Sequence, residues 1–315
     1  MKGIILKQKY NAYTAGKIFI DNLIKHTDSN VVEFDNKNYC SNNWKDIYNQ
    51  ISKYKDAKYI FSGIDYFLYE NVEPLHKFNI PLIMSAGNSW ERLKDNRWRK
   101  YVKKHRPSII SLDDWCSKCV YEDILDVDDL QYIWKPFDTD ISTIKDYQEK
   151  KIWDVSLSGK PSYKDRRYYE TFIPTLSEKL KFKFKRLGRN FSFEDYARNL
   201  NKSWMSMSSV QSNPYYKNVY IGANVPKNIE IAGSKACLFT KKWGDSDIMG
   251  FKDGENCVLF ENNNEIEDKL KYYLDNKDVL EKIIDKGYQL VHNKHTPEIH
   301  IKQYIKDLKE ILKRI

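Results

Sequence analysis

The sequence predicts an α/β protein built from two parallel-sheet units. Three observations carry this. Short continuous apolar runs alternate with amphipathic stretches, the pattern of parallel strands covered on both faces. The chain's 315 residues exceed what one core usually organises, at roughly 150 residues per domain. A polar, charged stretch at 138–151, DTDISTIKDYQEKK, interrupts the series, and a second series starts at Trp153.

In the first series Gly3–Leu6, Asn30–Phe34, Lys58–Ser62, Pro81–Ser85, Ser108–Leu112 and Tyr132–Trp134 read as strands. The segments 14–26, 43–54, 66–77, 89–104 and 114–126 between them read as helices. This order predicts a Rossmann-like unit over 1–145 and a second unit over 150–297. In the second series Trp153–Gly159 opens with a strand. Lys179–Leu187 sets Leu180, Phe182 and Phe184 against Lys181, Lys183 and Lys185, the alternation of a half-exposed strand. Ser203–Ser208, Ala236–Thr240 and Cys257–Phe260 are further strands. The spacings Ile266/Leu270/Leu274 and Val279/Ile283/Leu290 predict helices at 264–274 and 277–291. A last amphipathic helix after His295 carries Ile301, Ile305, Leu308 and Leu312.

The stretch from Val225 carries most of the functional information. Pro226 has a preset φ and no N–H, so it suits the first turn of a helix, with Asn224 or Val225 at the cap. Ile229, Ala232 and Gly233 fall on one face and allow close packing on a sheet. Free backbone N–H groups and the positive dipole end would lie near Asn224 to Asn228, a ready site for a diphosphate. Glu230, about one turn inside, suits two hydrogen bonds from vicinal ribose hydroxyls.

Composition sets the outer bounds. Hydrophobic residues make up 41% and aromatics 14%, with 23 Tyr and 8 Trp, which is enough apolar surface for real cores. No run approaches the ~18 apolar residues of a membrane span, and MKGIILKQKY is too short in apolar residues for a signal peptide. The expectation is a cytoplasmic protein, peripheral at most at a membrane surface. Five cysteines without disulfide spacing fit a reducing compartment. Cys116 and Cys119 form a lone CxxC with no second pair, so thiols are expected there and no metal. His292, His295 and His300 are assigned a hinge or packing role.

The order WDVSLSGK, KFKFKRLGR, FEDYARNLNKSWMSMS, PKNIEIAGSKACLFTK, FKDGENCVLF, two helices and HNKHT resembles group 1 glycosyltransferases, closest to the sporulation-protein CgeB-like branch. The likeness covers nearly all of 151–305, and the first half matches in layout, including Trp134-Lys135-Pro136-Phe137-Asp138. It implies the GT-B fold: two Rossmann-like domains facing each other across a cleft, with the final helix, 298–315, packing back on the first. It also implies a nucleotide-diphosphate sugar, taken as UDP-linked, as substrate in the second domain, with no cofactor and no metal. Glu230 resembles the family's ribose-binding glutamate. The partner glutamate would fall on Gly222 and is missing, which leaves retention or inversion open. Lys160, after Ser158-Gly159, with Lys164 or Arg166, resembles the basic diphosphate contacts. Gly188 and Arg189 fall where such proteins hold the base. With Asn224, Val225 and Asn228 these complete the expected donor set.

The same layout brings the acceptor to the strand ends of the first domain. Asp65, Asn88 and Asp113 are the catalytic candidates there, the two aspartates as general bases and each also a natural helix cap. Asn11, Trp90 and Arg97 are the acceptor-binding candidates. The formal net charge is +9, and Arg92, Lys94, Arg97, Arg99, Lys100, Lys103, Lys104 and Arg106 crowd one segment with Trp90, Trp98 and Tyr101 interleaved. Such a patch is either a solvated face or an attraction for polyanions: lipid head groups, an anionic or lipid-linked glycan, or DNA carrying a hydroxylated base. Two functions stay in play: a glycosyltransferase, and a non-catalytic nucleic-acid- or membrane-binding protein on a degenerate transferase scaffold.

Overall fold

The computed structural model describes the chain apart from residues 9–14, 35–42, 63–73, 87–95, 126–128, 137, 160–163, 189–191, 209–214, 217–218 and 221–224. It divides into two compact units, Met1–Asp138 with Pro297–Ile315, and Thr139–Thr296.

In the first unit β1 (Ile4–Gln8), β2 (Asn30–Phe34), β3 (Ile60–Ser62), β4 (Leu82–Ser85), β5 (Ile109–Leu112) and β6 (Gln131–Trp134) form one sheet in the order β2-β1-β3-β4-β5-β6. Every pairing in it is parallel. The strands are apolar at consecutive positions, and Ile4, Ile5, Ile60, Phe61, Ile109 and Ile110 are all fully buried, as expected when both sheet faces are covered. The helices between them are α1 (Ala15–His26), α2 (Asn43–Ile51), α3 (Asn96–His105) and α4 (Lys118–Leu125).

The C-terminal helix, Pro297–Leu312, belongs to this first core. Its Ile301, Tyr304, Ile305 and Leu308 pack with Phe19, Ile20 and Leu23 of α1 and with Ile5, Ile83, Ile109 and Ile133 of the sheet. Phe19 and Tyr304 meet edge to face, 4.8 Å between centroids at 83°. The helix start is held by His300, whose Nδ1 lies 3.0 Å from Asp138 Oδ1 with both side chains buried.

In the second unit β7 (Trp153–Leu157), β8 (Phe184–Arg186), β9 (Ser203–Met207), β12 (Cys237–Lys241) and β13 (Val258–Phe260) form a parallel sheet in the order β13-β12-β9-β7-β8. Tyr215–Tyr216 and Val219–Tyr220 (β10 and β11) form a separate antiparallel pair. The helices are α5 (Lys164–Leu180), α6 (Phe193–Asn201), α7 (Pro226–Gly233), α8 (Glu265–Asp275) and α9 (Lys277–Lys294). Val155, Leu157, Met205, Met207, Phe239 and Phe260 make the sheet's share of the core, closed by Tyr169, Ile173 and Leu280.

Two expectations are corrected. The alternation over Lys179–Leu187 is a strand only at Phe184–Arg186. Lys179 and Leu180 end α5, and Lys181 takes a left-handed φ of 59° that stops the helix. The segment 139–145, expected at the end of the first unit, packs in the second. Its turn Ile141–Ile144 lies under α7, where a Cβ on Gly233 would come within 2.5 Å of Ile144, and Ser234 Oγ donates to the Thr143 carbonyl.

Candidate functional site

In an open parallel sheet the crevice for a ligand lies at the carboxyl ends of the strands where the order reverses. In the second unit that point lies between β7 and β9. The chain leaves β7 toward β8 on one side, and leaves β9 toward β12 on the other. The residues that follow β7 are Ser158 and Gly159, and the side chains that converge there come from four further elements.

Gly159 has φ 104°, and a Cβ on it would overlap Lys227 Nζ and come within 3.0 Å of Arg166 Nη1. Lys227 is the second residue of α7, and Arg166 stands in the first turn of α5 and is 8% exposed. Arg186, the last residue of β8, reaches back to the same turn. It donates to the Leu157 carbonyl at 3.0 Å and to the carbonyl of Gly159, and pairs with Glu170 of α5. Ser158 Oγ and the Tyr196 hydroxyl of α6 are 2.9 Å apart. Glu230 lies one turn into α7, with Oε1 3.1 Å from Thr139 Oγ1.

The electrostatics follow from this convergence. Burial lowers the Lys227 ammonium to about 8, the Arg166 and Arg186 charges push it the same way, and Glu230 opposes them. Burial raises the Glu230 carboxyl above the usual range, against the pull of Lys227 and Thr139. Burial and the nearby Glu230 raise the Tyr196 phenol. A lysine in the first turn also runs against the helix macrodipole, whose amino end favours anions. Three cations crowding a helix amino end therefore form a site that a bound polyanion would relieve.

Of the expected donor residues, the structure gathers Gly159, Arg166 and Glu230 in this cluster. Val225 is the extended cap of α7, followed by Pro226 at the first helical position. Asn228 is fully buried within the unit, and Gly188 is exposed just after β8. Lys160, Arg189 and Asn224 lie outside the described residues, as do Asn11, Asp65, Asn88 and Trp90; Arg97 lies on α3, its side chain outside the description. Asp113 follows β5 in the first unit, 3% exposed and ion-paired with the equally buried Lys135. His295 Nε2 lies 2.7 Å from the Met249 carbonyl and its ring stacks on Phe251. Cys116, Cys119, Cys237 and Cys257 are free thiols.

Sequence reasoning missed Lys227, Arg186, Tyr196 and Thr139. Lys227 had a usable signal, a cation placed against the dipole of a helix that starts at proline. Arg186 had only its place at a strand end.

These features define a class. Two all-parallel α/β sheets with their helices match structures of the GT-B type, so this chain has a glycosyltransferase fold. Residues 153–306 match a protein-family model described as glycosyl transferase-like. The chain is similar to HepE of Anabaena in complex with UDP, at 11% identity and a TM-score of 0.71 over 98% of this chain and 100% of that one. It is similar to a glycosyltransferase of Rickettsia africae, at 12% identity and a TM-score of 0.66 over 100% and 99% of the two chains. The pneumococcal O-GlcNAc transferase GtfA, in complex with UDP and GlcNAc, matches at 10% identity and a TM-score of 0.52 over 84% of this chain and 60% of that one. No protein of curated function matches it in sequence. Among the described residues no helix is long and apolar enough to cross a membrane.

Proposed function

We propose that the protein is a glycosyltransferase that moves a sugar from a nucleotide-diphosphate donor, UDP-linked, to a hydroxyl of a polyanionic acceptor. One observation carries the reading: Lys227 and Arg166 converge on the Gly159 turn at the sheet's switch point, with Glu230 one turn into the same helix. The cations would hold the diphosphate and offset the charge that grows on it as the bond from the anomeric carbon to the phosphate oxygen breaks. Glu230 would accept the ribose hydroxyls. The acceptor oxygen forms the new bond to the anomeric carbon, and its proton passes to a base. UDP bound to HepE and to GtfA supports the choice of nucleotide. The motif order over 151–305 supports a place near the CgeB-like branch.

The basic segment around α3 supports a polyanionic acceptor, with Lys100 and Lys103 exposed on it. An anionic glycan, a lipid-linked glycan or DNA with a hydroxylated base all carry that chemistry. Salt-sensitive retention on heparin that falls when Arg97, Arg99 and Lys103 are neutralised is the expected result.

The test of the donor site is nucleotide binding. UDP should raise the melting temperature, and Glu230→Ala should remove the rise. No shift with UDP or GDP would sink the transferase reading and favour a non-catalytic binding protein on this scaffold.

A further inference from the structure

The C-terminal helix carries Lys302, Lys306, Lys309 and Lys313 at spacings of four, three and four, which stacks them along one helical face. At a rise of 1.5 Å per residue the row runs about 16 Å. It forms one wall of a groove of about 600 Å³ in the first unit. Lys58, Met1 and His26 form the other wall. Lys58 and Met1 precede β3 and β1, and His26 ends α1, so this wall stands at the amino ends of the strands. Asp113, by contrast, follows the carboxyl end of β5. The groove is therefore a different surface from the candidate acceptor site.

Charge and apolar surface are combined in it. Between the walls the lining is Ile305, Leu312 and the Met1 side chain, which also pack on the first core. Among the described residues Glu310 is the one acid that lines the groove, and Lys313 Nζ takes it at 2.8 Å. Lys302 Nζ pairs with Glu298 at 3.0 Å. Lys58, Lys306 and Lys309 are exposed, and among the described residues they stand in no ion pair. Three cations are thus left facing solvent along an aliphatic trough.

We propose that this groove docks the protein on a bilayer containing anionic phospholipid, the lysine rim meeting the phosphates and the aliphatic lining meeting the acyl boundary. The inference stands apart from the donor-site reading. The chemistry of the lining selects the occupant. A nucleic acid or a glycan is gripped by aromatic stacking and by amide or hydroxyl contacts, and no Phe, Tyr, Trp, Asn, Gln, Ser or Thr lines the groove among the described residues. A fixed phosphate in a tight pocket calls for the planar fork of arginine, and the rim is lysine throughout. Lysine suits a fluid array of head groups: a point charge on a long stem that lies along apolar surface while its ammonium reaches the interface. Only a surface that is anionic outside and aliphatic just beneath uses both parts of the groove.

The test is vesicle flotation with phosphatidylcholine alone and with phosphatidylglycerol mixed in. Wild type should float with the mixed vesicles and not with the neutral ones, and added salt should weaken the binding. The triple variant Lys58→Gln, Lys306→Gln, Lys309→Gln should bind the mixed vesicles about 100-fold more weakly, at about fivefold per lysine. The same three positions changed to Arg should bind as wild type does. Leu312→Gln, which keeps every charge, should weaken binding several-fold. Circular dichroism checks the fold, and if the Gln triple is unfolded, Lys306→Gln and Lys309→Gln singly, each about fivefold weaker, decide in its place. Wild type that stays off the mixed vesicles overturns the proposal. So does binding that Lys100→Gln with Lys103→Gln lowers and the groove variants leave unchanged, which would assign it to α3. Retention on duplex DNA that the groove triple lowers, without vesicle binding by wild type, would make the surface a nucleic-acid contact and also overturn it.

Discussion

Lys227 Nζ occupies the space that a side chain on Gly159 would need. The two residues are far apart in sequence and meet because β7 ends and α7 begins at the same corner of the second sheet. Gly159 also has φ 104°, a backbone conformation that costs a residue with a Cβ about 1–3 kcal/mol. Gly159→Ala should lower the denaturation midpoint and, by displacing Lys227, shrink the thermal shift produced by UDP. An alanine variant with the wild-type nucleotide shift would show that Lys227 is not needed where it stands.

Lys227 also gives a pH signature. Its free-state ammonium is lowered to about 8 by burial and by Arg166 and Arg186, and a bound diphosphate would raise it again. Below about 8 it is charged in both states, and affinity does not vary with pH through this group. Above that, binding must take up a proton, so affinity for UDP should fall as pH rises. Lys227→Gln should weaken binding by about 10- to 100-fold, the worth of a charged hydrogen bond, and flatten this fall. A wild-type affinity that stays level through the alkaline range would contradict the assignment.

Asp113 is both a buried ion-pair member and a candidate base, and stability separates the roles. Lys135→Met leaves its carboxylate buried without its cation and should cost about 3–5 kcal/mol. The double variant Asp113→Asn with Lys135→Met should recover most of that loss. If the double variant also keeps transferase activity on a small acceptor, Asp113 is structural. If it is well folded and inactive, the base reading holds.

The C-terminal helix should behave as part of the first core. Tyr304 and Leu308 are buried at 1% and 0%, and Leu308→Ala should cost about 2–5 kcal/mol in chemical denaturation. Tyr304→Phe should cost less, because it keeps the edge-to-face contact with Phe19. A neutral Leu308→Ala would mean that the first unit folds without this helix.

What the sequence determined by itself was local. Runs such as Ile109–Leu112 and the Ile266/Leu270 spacing announce strand and helix, because burial on two faces or on one stripe leaves a period in the chain. Pro226 marks a helix start because its ring fixes φ wherever it stands. Glu230 was legible from its distance to that start. The tertiary structure decided the rest. The order β13-β12-β9-β7-β8 brings residues 139, 158, 166, 186, 196, 227 and 230 to one corner, and no period in the sequence records an approach between side chains on different elements. The alternation over Lys179–Leu187 misled for the same reason. A run of apolar and basic residues fits a half-exposed strand and the end of a helix equally well, and only packing against β7 fixed where one stops and the other begins. Whether a lysine is decoration or part of a candidate site depends on what else is buried beside it, and for Lys227 the neighbours are Arg166, Arg186 and a glycine with no side chain.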